Sequence, residues 1–482
     1  RSSAPLQGGF IWDFVDQAVY GTNSEGQLIF QYGGDAGRYP ASDQNFNCNG
    51  LLAPDRRYNP HAYEVRQQYQ NIWATPVDVR KGLIDIYNEN FFTDLSAYNL
   101  HWTVSLNGGQ YADGLENLPS IPAQTTKSMK IPALVKALAK VPADGEIMLG
   151  VEFVLKNDAP LLKAGYAVAR NQFEVRPYEF PDSISLYRSA GEGECSVDEA
   201  LAWVAVGAAG VSYTFNRRSG WIDYIDVDGR QFTQNGYSLK SDFWRAPTDN
   251  DFGANLQRRM GAWKSPAYRV TAFVIERNDD GSVSINVNYD MANVSSTLKM
   301  SYRVKPDGSV VVRQKLDATA ARTDIFRVGM TMVMAPEFNR IEYYGKGPHE
   351  NYSDRNSSEW IGLYKESVEE QYFPYIRPQE TGNKTDIRYW RVLDADGQGL
   401  EFFGSTPLSM SSLNYLTEDL DDGQEKHNRH AGDLSPRDFT VVHIDKVQYG
   451  LACQHSWGAT TLDEYKLHPG VYEYDFVIKA IR

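Results

Sequence analysis

The chain is short of cysteine and has no long apolar run. Its 482 residues include three cysteines, Cys48, Cys195 and Cys453, which are widely spaced and odd in number. Such a set matches neither a disulfide framework nor a zinc pattern. No apolar stretch approaches the roughly 20 residues that a membrane-spanning helix needs. These shortages exclude a disulfide-stapled scaffold, and they predict that no membrane partner is involved.

Positive charge is also scarce, because 48 Lys and Arg face 62 Asp and Glu and the net charge is −14. An acidic chain does not favour nucleic acid or an anionic membrane surface, so we expect neither as a partner. The sequence lacks a P-loop, a dinucleotide fingerprint and a nucleophile elbow. It begins at Arg1 with no signal-peptide pattern, and it therefore does not indicate in which cellular compartment the protein works.

Aromatic residues, by contrast, make up 13% of the chain, with 30 Tyr and 10 Trp. Flat rings cover sugar faces, but they also fill β-sheets, and most of these must do so. The length suggests about three domains. We expect a mainly β protein that contains few helices.

Residues 1–75 read as the end of a β/α barrel. An apolar strand at residues 9–12 begins abruptly, as in a truncated or cleaved domain, because a buried strand needs neighbours on both sides. A loop follows over residues 18–60, and a helical pattern then runs from His61 to Trp73 after Pro60, a good first-turn residue. Strand, long loop and helix would form the last unit of such a barrel.

Two β domains are predicted to follow. Residues 76–176 alternate with period two and contain a hairpin signal at Asn107-Gly108, which indicates one β-sandwich of about 100 residues. Residues 177–482 carry strand patterns throughout, with turn signals at Asp228-Gly229, Asp307-Gly308 and Asp396-Gly397. This length favours a single large two-sheet sandwich over a chain of small modules.

Three places are candidates for chemistry. Trp12 would face the mouth of the barrel, where its ring is equally well explained as a sugar floor or as a core residue. Residues 43–50 are rich in Asn and Asp oxygens that suit a hard cation such as Na⁺ or Mg²⁺, although an Asn-rich turn explains them better on composition alone. His427 and His430 have the spacing of half a metal site, but loop histidines more often face solvent.

Five distinctive motifs follow one another along the chain. The first covers the barrel strand, three lie in the large sandwich, and the last is Ser456-Trp457 near the C-terminus. The longer motifs are residues 6–17 (LQGGFIWDFVDQ), 243–251 (FWRAPTDND), 344–355 (YGKGPHENYSDR) and 374–380 (PYIRPQE). In this order they resemble the family 2 β-galactosidases of the bacterial lac type. The resemblance implies a barrel segment, an immunoglobulin-like β-sandwich and a β-supersandwich similar to galactose mutarotase.

The resemblance also implies roles for residues of this chain. Trp12 matches the Trp that packs on the galactosyl group, and Trp457 matches one that stacks on the aglycone. Phe46, by its carbonyl, and Asn49, by its side chain, match ligands of a sodium ion, and Asp43 would order the same loop beside the substrate. The two catalytic glutamates and the Mg²⁺ ligands of the family lie upstream and have no counterpart here.

The expected protein is thus the C-terminal part of a retaining β-galactosidase that acts on terminal β-D-galactosides such as lactose. The resemblance implies Na⁺, Mg²⁺ and a homo-oligomer for the full-length enzyme, whereas this chain alone should be inactive. Gly458-Ala459 replaces the Ser-Pro of the lac enzyme after the Trp, which leaves the aglycone preference open. A non-catalytic sugar-binding fragment is one alternative.

A mutarotase-like epimerase is the second alternative. That chemistry needs a carboxylate base and a histidine acid beside a pyranose. The large sandwich offers Glu380, Glu350, His349 and His443 as the required residue types. A shared fold does not carry function, so we weigh this alternative well below the hydrolase.

Overall fold

The computed structural model describes residues 8–37, 46, 48–188, 191–451, 455 and 457–482, and these are mainly β. Near the N-terminus, β1 (Val19–Thr22) and β2 (Leu28–Gln31) form an antiparallel hairpin, and α1 (Pro60–Gln68) comes later. Pro60 opens the helix as predicted, since the missing N–H costs nothing in the first turn. Across these ranges α1 is the longest helix, and none is long and apolar enough to cross a membrane.

The segment around Trp12 is extended chain rather than the expected strand. One parallel bridge and four backbone hydrogen bonds of 2.8–3.0 Å join residues 13–16 to residues 49–52. A regular strand needs a continuous ladder with a neighbour. The 49–52 segment supplies only this short ladder among the described residues, so the predicted strand at residues 9–12 does not form here.

The first complete domain is a two-sheet sandwich. β3, β4 and β7 form one sheet, and the second has the order β6-β5-β8-β9. Its elements are β3 (Ile72–Asp78), β4 (Leu83–Asn88), β5 (Tyr98–Leu106), β6 (Gly109–Asn117), β7 (Thr125–Lys130), α2 (Pro132–Leu138), β8 (Ile147–Leu155) and β9 (Ala167–Arg176). Residues from both sheets, among them Ile86 and Trp102, pack into one core. The predicted turn at Asn107-Gly108 joins β5 to β6.

The helix prediction was wrong at its C-terminal end. α1 stops at Gln68, and β3 already begins at Ile72, four residues later. Ile72 and Ala74 are buried on one face of β3, so their alternation satisfies a strand where a helical period was expected. The boundary predicted between residues 75 and 76 consequently falls inside β3.

The rest of the chain forms one large sandwich with short helices. Its elements in the described ranges are α3 (Ser183–Tyr187), β10 (Ser196–Glu199), β11 (Trp203–Ala208), β12 (Val211–Asn216), β13 (Ile222–Val227), β14 (Arg230–Gln231), β15 (Lys240–Asp242), α4 (Asp249–Gly253), α5 (Leu256–Arg259), β16 (Tyr268–Arg277), β17 (Val283–Met291), β18 (Ser296–Val304), β19 (Val310–Asp317), β20 (Arg327–Met334), β21 (Arg340–Gly347), β22 (Trp360–Ser367), α6 (Val368–Gln371), β23 (Lys384–Ile387), β24 (Tyr389–Leu393), β25 (Gly399–Gly404), β26 (Leu408–Leu413), α7 (Thr417–Leu420), β27 (Thr440–Gln448) and β28 (Val471–Ile481).

These strands build three sheets around a common core. The orders are β10-β11-β12-β13-β14, β15-β20-β27-β26-β23 and β16-β17-β18-β19-β28-β25-β24-β21-β22. Val206, Ile285 and Ile444 come from different sheets and belong to the same buried cluster. The single large sandwich is therefore confirmed, but it contains three sheets instead of the predicted two. The predicted turns at Asp228-Gly229, Asp307-Gly308 and Asp396-Gly397 each join consecutive strands.

Buried polar contacts tie the three parts together. Arg388 of the large sandwich pairs with Glu146 of the first sandwich at 2.7 Å, and both side chains are almost fully buried. The Ser358 amide donates to Glu64 of α1 at 3.0 Å. His430 contacts Asp35, beside the N-terminal hairpin, at 2.8 Å. The N-terminal segment is thus held against the large sandwich, which brings the candidate site residues into reach of one another.

Candidate functional site

Trp12 presents an exposed indole at the edge of the N-terminal segment, with 70% of its surface accessible. The next residue, Asp13, donates its amide to the Asn49 carbonyl at 2.8 Å and accepts from the Leu51 amide at 3.0 Å. Trp12 therefore lies beside the 46–49 segment. In this chain, the ring is open to contact from outside.

Phe46 and Asn49 lie together, as the resemblance implies. The Asn49 amide nitrogen donates to the Phe46 carbonyl at 2.6 Å. Asn49 Oδ1 is buried and has no hydrogen-bond partner in the described part of the chain. A buried polar oxygen without a partner is costly. The two oxygens are hard donors of the kind that bind hard cations, so this pair fits a sodium ion. Asp43 lies outside the described residues.

Trp457 reaches the same place from the large sandwich. Its ring stacks on that of Phe46 at a centroid distance of 5.6 Å and an interplanar angle of 17°. Trp457 remains 73% exposed, so it is not a core residue of the sandwich. Trp12 thus lies near Asn49 and Trp457 lies against Phe46, and both offer aromatic surface.

A polar cavity of about 210 Å³ lies behind this segment, between the N-terminal part and the large sandwich. Arg377 organises one wall: its Nε donates to Asp249 at 2.6 Å and its Nη1 to Asp422 at 2.8 Å. Its guanidinium also lies 5.0 Å from the centre of the Phe252 ring. The ion pair between Arg377 and Asp249 anchors α4, which begins at Asp249 and ends at Gly253.

The anchored helix brings Gly253 close to Trp457. The Gly253 carbonyl oxygen is 3.6 Å from the position that a Cβ on Gly458 would occupy. The end of α4 therefore lies beside the segment that carries Trp457.

Two residues of the cavity were missed in the sequence, a buried aspartate and a partly buried histidine. Asp16 and His61 both line it, next to Gly50. Burial raises the pKa of Asp16 to about 6, although hydrogen bonds from Gly50 and Asn59 lower it. Burial lowers the pKa of His61 to about 4, and the positive charge of Arg355 adds to this effect. The signal that could have pointed to Asp16 is an acidic residue within a largely apolar strand pattern.

His430 is not the solvent-facing histidine that its loop suggested. It lies between Asp35, 2.8 Å from Nε2, and Asp433, 3.0 Å from Nδ1, and its side chain is 6% exposed. His427 is exposed, as expected. No group of three or more His, Cys, Asp or Glu within the described ranges is arranged to hold a metal ion. His430 therefore makes a contact between the N-terminal segment and the large sandwich.

Two of the four residues offered for the epimerase alternative, His443 and Glu380, are not arranged for that chemistry. His443 is 4% exposed, and its Nδ1 lies 2.8 Å from Arg327 and 3.3 Å from Asp242. Glu380 pairs with the same Arg327 at 3.1 Å. An acid and a base that act on a pyranose must reach it directly. These two are instead engaged in a buried ion cluster.

Comparisons with known families agree with this architecture. Residues 2–74 match the model described as glycosyl hydrolases family 2, TIM barrel domain, and residues 84–176 match β-galactosidase, domain 4. The order of barrel segment and sandwich thus defines a glycosyl hydrolase of family 2. Residues 207–478 match the β-galactosidase small chain, which covers more than half of the sequence. The chain belongs to this β-galactosidase family, as a C-terminal portion.

Similar curated proteins extend along the whole sequence. A β-galactosidase from Priestia megaterium is 31% identical over 99% of this chain, one from Halalkalibacterium halodurans 30% over 96%, and one from Streptococcus thermophilus 28% over 98%. The alignments cover 45%, 44% and 44% of those relatives, so the chain spans about half of their length. A solved galactose 1-epimerase from Lactobacillus acidophilus aligns at 8% identity and a TM-score of 0.29, which is too low to carry an argument.

Proposed function

We propose that this chain forms one wall of the sugar pocket in a retaining β-galactosidase that hydrolyses terminal β-D-galactosides such as lactose. The match to β-galactosidase models in sequence order, over nearly the whole chain, carries the proposal. The two exposed tryptophans beside the 46–49 segment support it, because flat rings suit the faces of sugars.

The division of labour follows from the chemistry. A retaining glycosidase uses two carboxyl groups about 5–5.5 Å apart, one as nucleophile and one as acid and base. The carboxyl groups that line the cavity here are already engaged: Asp249 with Arg377, Glu380 with Arg327, and Asp16 with the Gly50 amide. We propose that both catalytic glutamates come from the portion of the enzyme outside this chain.

The residues of this chain would act by positioning. Trp12 packs on the galactosyl ring and Trp457 on the aglycone, which fixes the anomeric carbon relative to the catalytic groups, and small misplacements there cost much rate. The Phe46 carbonyl and the Asn49 side chain hold Na⁺, supported by the buried Asn49 Oδ1 that has no partner in the described residues. When bound, the ion supplies a fixed positive charge to sugar oxygens. The Mg²⁺ ligands lie elsewhere, and the full-length enzyme is a homo-oligomer.

The proposal predicts that the purified chain alone has no β-galactosidase activity, because covalent catalysis then lacks its nucleophile and its acid. The full-length enzyme should hydrolyse nitrophenyl β-galactoside and release β-galactose first, as NMR can show. Turnover by the chain that survives repurification would contradict the proposed division of labour. Absence of hydrolysis by the full-length protein would contradict the activity itself.

Trp457→Ala in the full-length enzyme should raise KM for galactosides with a large aglycone more than for compact ones. The ring meets the aglycone side, and loss of one stacking contact costs on the order of 1 kcal/mol. Because Trp457 is 73% exposed, the melting temperature should hardly change. The measurement is kcat/KM on two galactosides, alongside thermal unfolding. An unchanged ratio between the substrates with a large fall in melting temperature would return Trp457 to a structural role.

A further inference from the structure

Gly50 is fixed by side chains on both of its backbone groups. Its amide donates to Asp16 Oδ1 at 2.7 Å. Its carbonyl accepts from Asn59 Nδ2 at 2.9 Å and lies 2.9 Å from His61 Nε2. Asn59 Nδ2 also donates to Asp16 Oδ2 at 3.2 Å, which closes a ring of contacts. We call Asp16, Gly50, Asn59 and His61 the Gly50 clamp.

The clamp leaves no space for any other residue at position 50. A Cβ on Gly50 would lie 2.0 Å from the Asp16 amide nitrogen, 2.4 Å from the Val15 carbonyl carbon and 2.8 Å from the Leu52 carbonyl oxygen. All three are backbone atoms, which cannot move aside as a flexible side chain does. The backbone of the 49–52 segment therefore packs directly against the backbone of the segment after Trp12.

Two polar members of the clamp, Asp16 and Asn59, are largely removed from water. Asp16 is 7% exposed and Asn59 5% exposed. Burial also holds the pKa of His61 at about 4, so its ring is neutral near pH 7 and can donate Nε2–H to the Gly50 carbonyl. Hydrogen bonds made in such surroundings are strong, and they are costly to leave unmade.

The clamp lies close to the pocket wall on both of the segments that it joins, one residue from Asn49 and four residues from Trp12. Gly50 directly follows Asn49, whose carbonyl accepts from the Asp13 amide at 2.8 Å, next to Trp12. A shift at Gly50 therefore changes the distance between the Trp12 ring and the Asn49 side chain. None of the four clamp residues needs to touch the sugar for this to happen.

We propose that Asp16 is a positioning residue for the galactoside pocket, which, with Asn59 and His61, clamps Gly50 and thereby sets the spacing between Trp12 and the cation ligands Phe46 and Asn49. The inference rests on the proposed function of the same site. It differs from a stability role because it predicts coupled changes in sugar handling and in the response to Na⁺.

The test is Asp16→Asn in the full-length enzyme. Asn keeps an oxygen for the Gly50 amide, but its nitrogen then faces the nitrogen of Asn59, so one contact of the clamp is lost. We expect kcat/KM to fall about tenfold on large and compact galactosides alike, since misplacement by about 1 Å costs up to 10²-fold. The Na⁺ concentration for half-maximal activity should rise severalfold. The increase in melting temperature when NaCl replaces choline chloride, which reports ion binding without turnover, should shrink.

Asp35→Asn is the matched control. Asp35 accepts from the Tyr32 amide at 2.7 Å and contacts His430 at 2.8 Å, so it ties the same N-terminal segment to the large sandwich without touching Gly50. This variant should lose some stability and keep both kcat/KM and the Na⁺ response. If Asp16→Asn does not fold, the same measurements are made on Asn59→Ser. This substitution removes the side chain that contacts both Gly50 and Asp16.

The outcomes are separable. An Asp16→Asn enzyme, or an Asn59→Ser enzyme in its place, that behaves like Asp35→Asn would overturn the inference and leave the clamp with a purely structural role. A wild-type enzyme without galactoside hydrolysis would overturn the proposed function instead. If the wild-type enzyme is inactive, the increase in melting temperature with NaCl still tests the clamp. An increase as large in the variant as in the wild type would refute the positioning of the cation ligands.

Discussion

Trp12→Ala in the full-length enzyme should lower kcat/KM on every galactoside, whatever its aglycone. Loss of a stacked ring costs on the order of 1–3 kcal/mol of binding, which corresponds to a factor of roughly 5 to 150. Part of the loss should appear in kcat, because the ring helps to place the anomeric carbon. Steady-state kinetics on two galactosides with different aglycones measures it.

The stability of the Trp12 variant separates a pocket role from a packing role. A ring that contacts the sugar and not the core contributes little to folding, so its removal should shift the melting temperature little. Trp203→Ala is the control, since Trp203 lies on β11 of the large sandwich, is 37% exposed and should not affect kcat/KM. A Trp12→Ala enzyme with normal kinetics would refute the assignment.

Arg327→Met should lower the free energy of unfolding by about 3–5 kcal/mol, the usual cost of breaking a buried ion pair from one side. Arg327 is 1% exposed, and it lies 3.0 Å from Asp242, 3.1 Å from Glu380 and 3.0 Å from Asp445. Without the guanidinium, these carboxyl groups are left close together in the interior of the sandwich.

The carboxyl groups of this cluster already differ in proton affinity. Burial raises the pKa of Asp445 well above its usual value, against the charge of Arg327. Burial acts in the same direction on Asp242, but the hydrogen bond from His443 and the charge of Arg327 outweigh it and hold that pKa below the usual range. Together with His443, Arg327 therefore permits a charged Asp242 in the core.

Urea unfolding of the chain measures the Arg327 effect. Arg269→Met is the control, because Arg269 also pairs with an aspartate, Asp290 at 2.6 Å, but its side chain is 71% exposed. An exposed pair of this kind contributes about 0–1 kcal/mol. Equal losses in the two variants would show that the buried cluster adds nothing to the stability of the large sandwich.

The sequence predicted the tight turns between strands, because particular residue types favour the backbone conformation of a turn. Asp228-Gly229, Asp307-Gly308 and Asp396-Gly397 each join two strands, and each Gly has a positive φ of 82–83°. This backbone conformation is easily reached by Gly. The end of α1 was missed because Ile72 fits a helical and a strand pattern equally, and only its burial against the first sandwich decides between them.

The buried polar contacts were not predictable in the same way. The Gly50 clamp joins residues that lie up to 45 positions apart, and His430 meets Asp35 from 395 positions away. Composition and periodicity carry no information on such pairs, since each residue alone looks like an ordinary loop or surface residue. The family resemblance supplied Trp12, Trp457, Phe46 and Asn49, whereas the residues that hold them emerged only from the structure.

The most direct test of the account compares Trp12→Ala and Trp457→Ala in the full-length enzyme on one compact and one large galactoside. The account places Trp12 at the galactosyl ring and Trp457 at the aglycone. It predicts that Trp12→Ala lowers kcat/KM by a similar factor on both substrates, and that Trp457→Ala lowers it mainly on the large one. Normal kinetics in both variants, or the same substrate ratio in both, would contradict the claim that this chain forms the wall of a galactoside pocket.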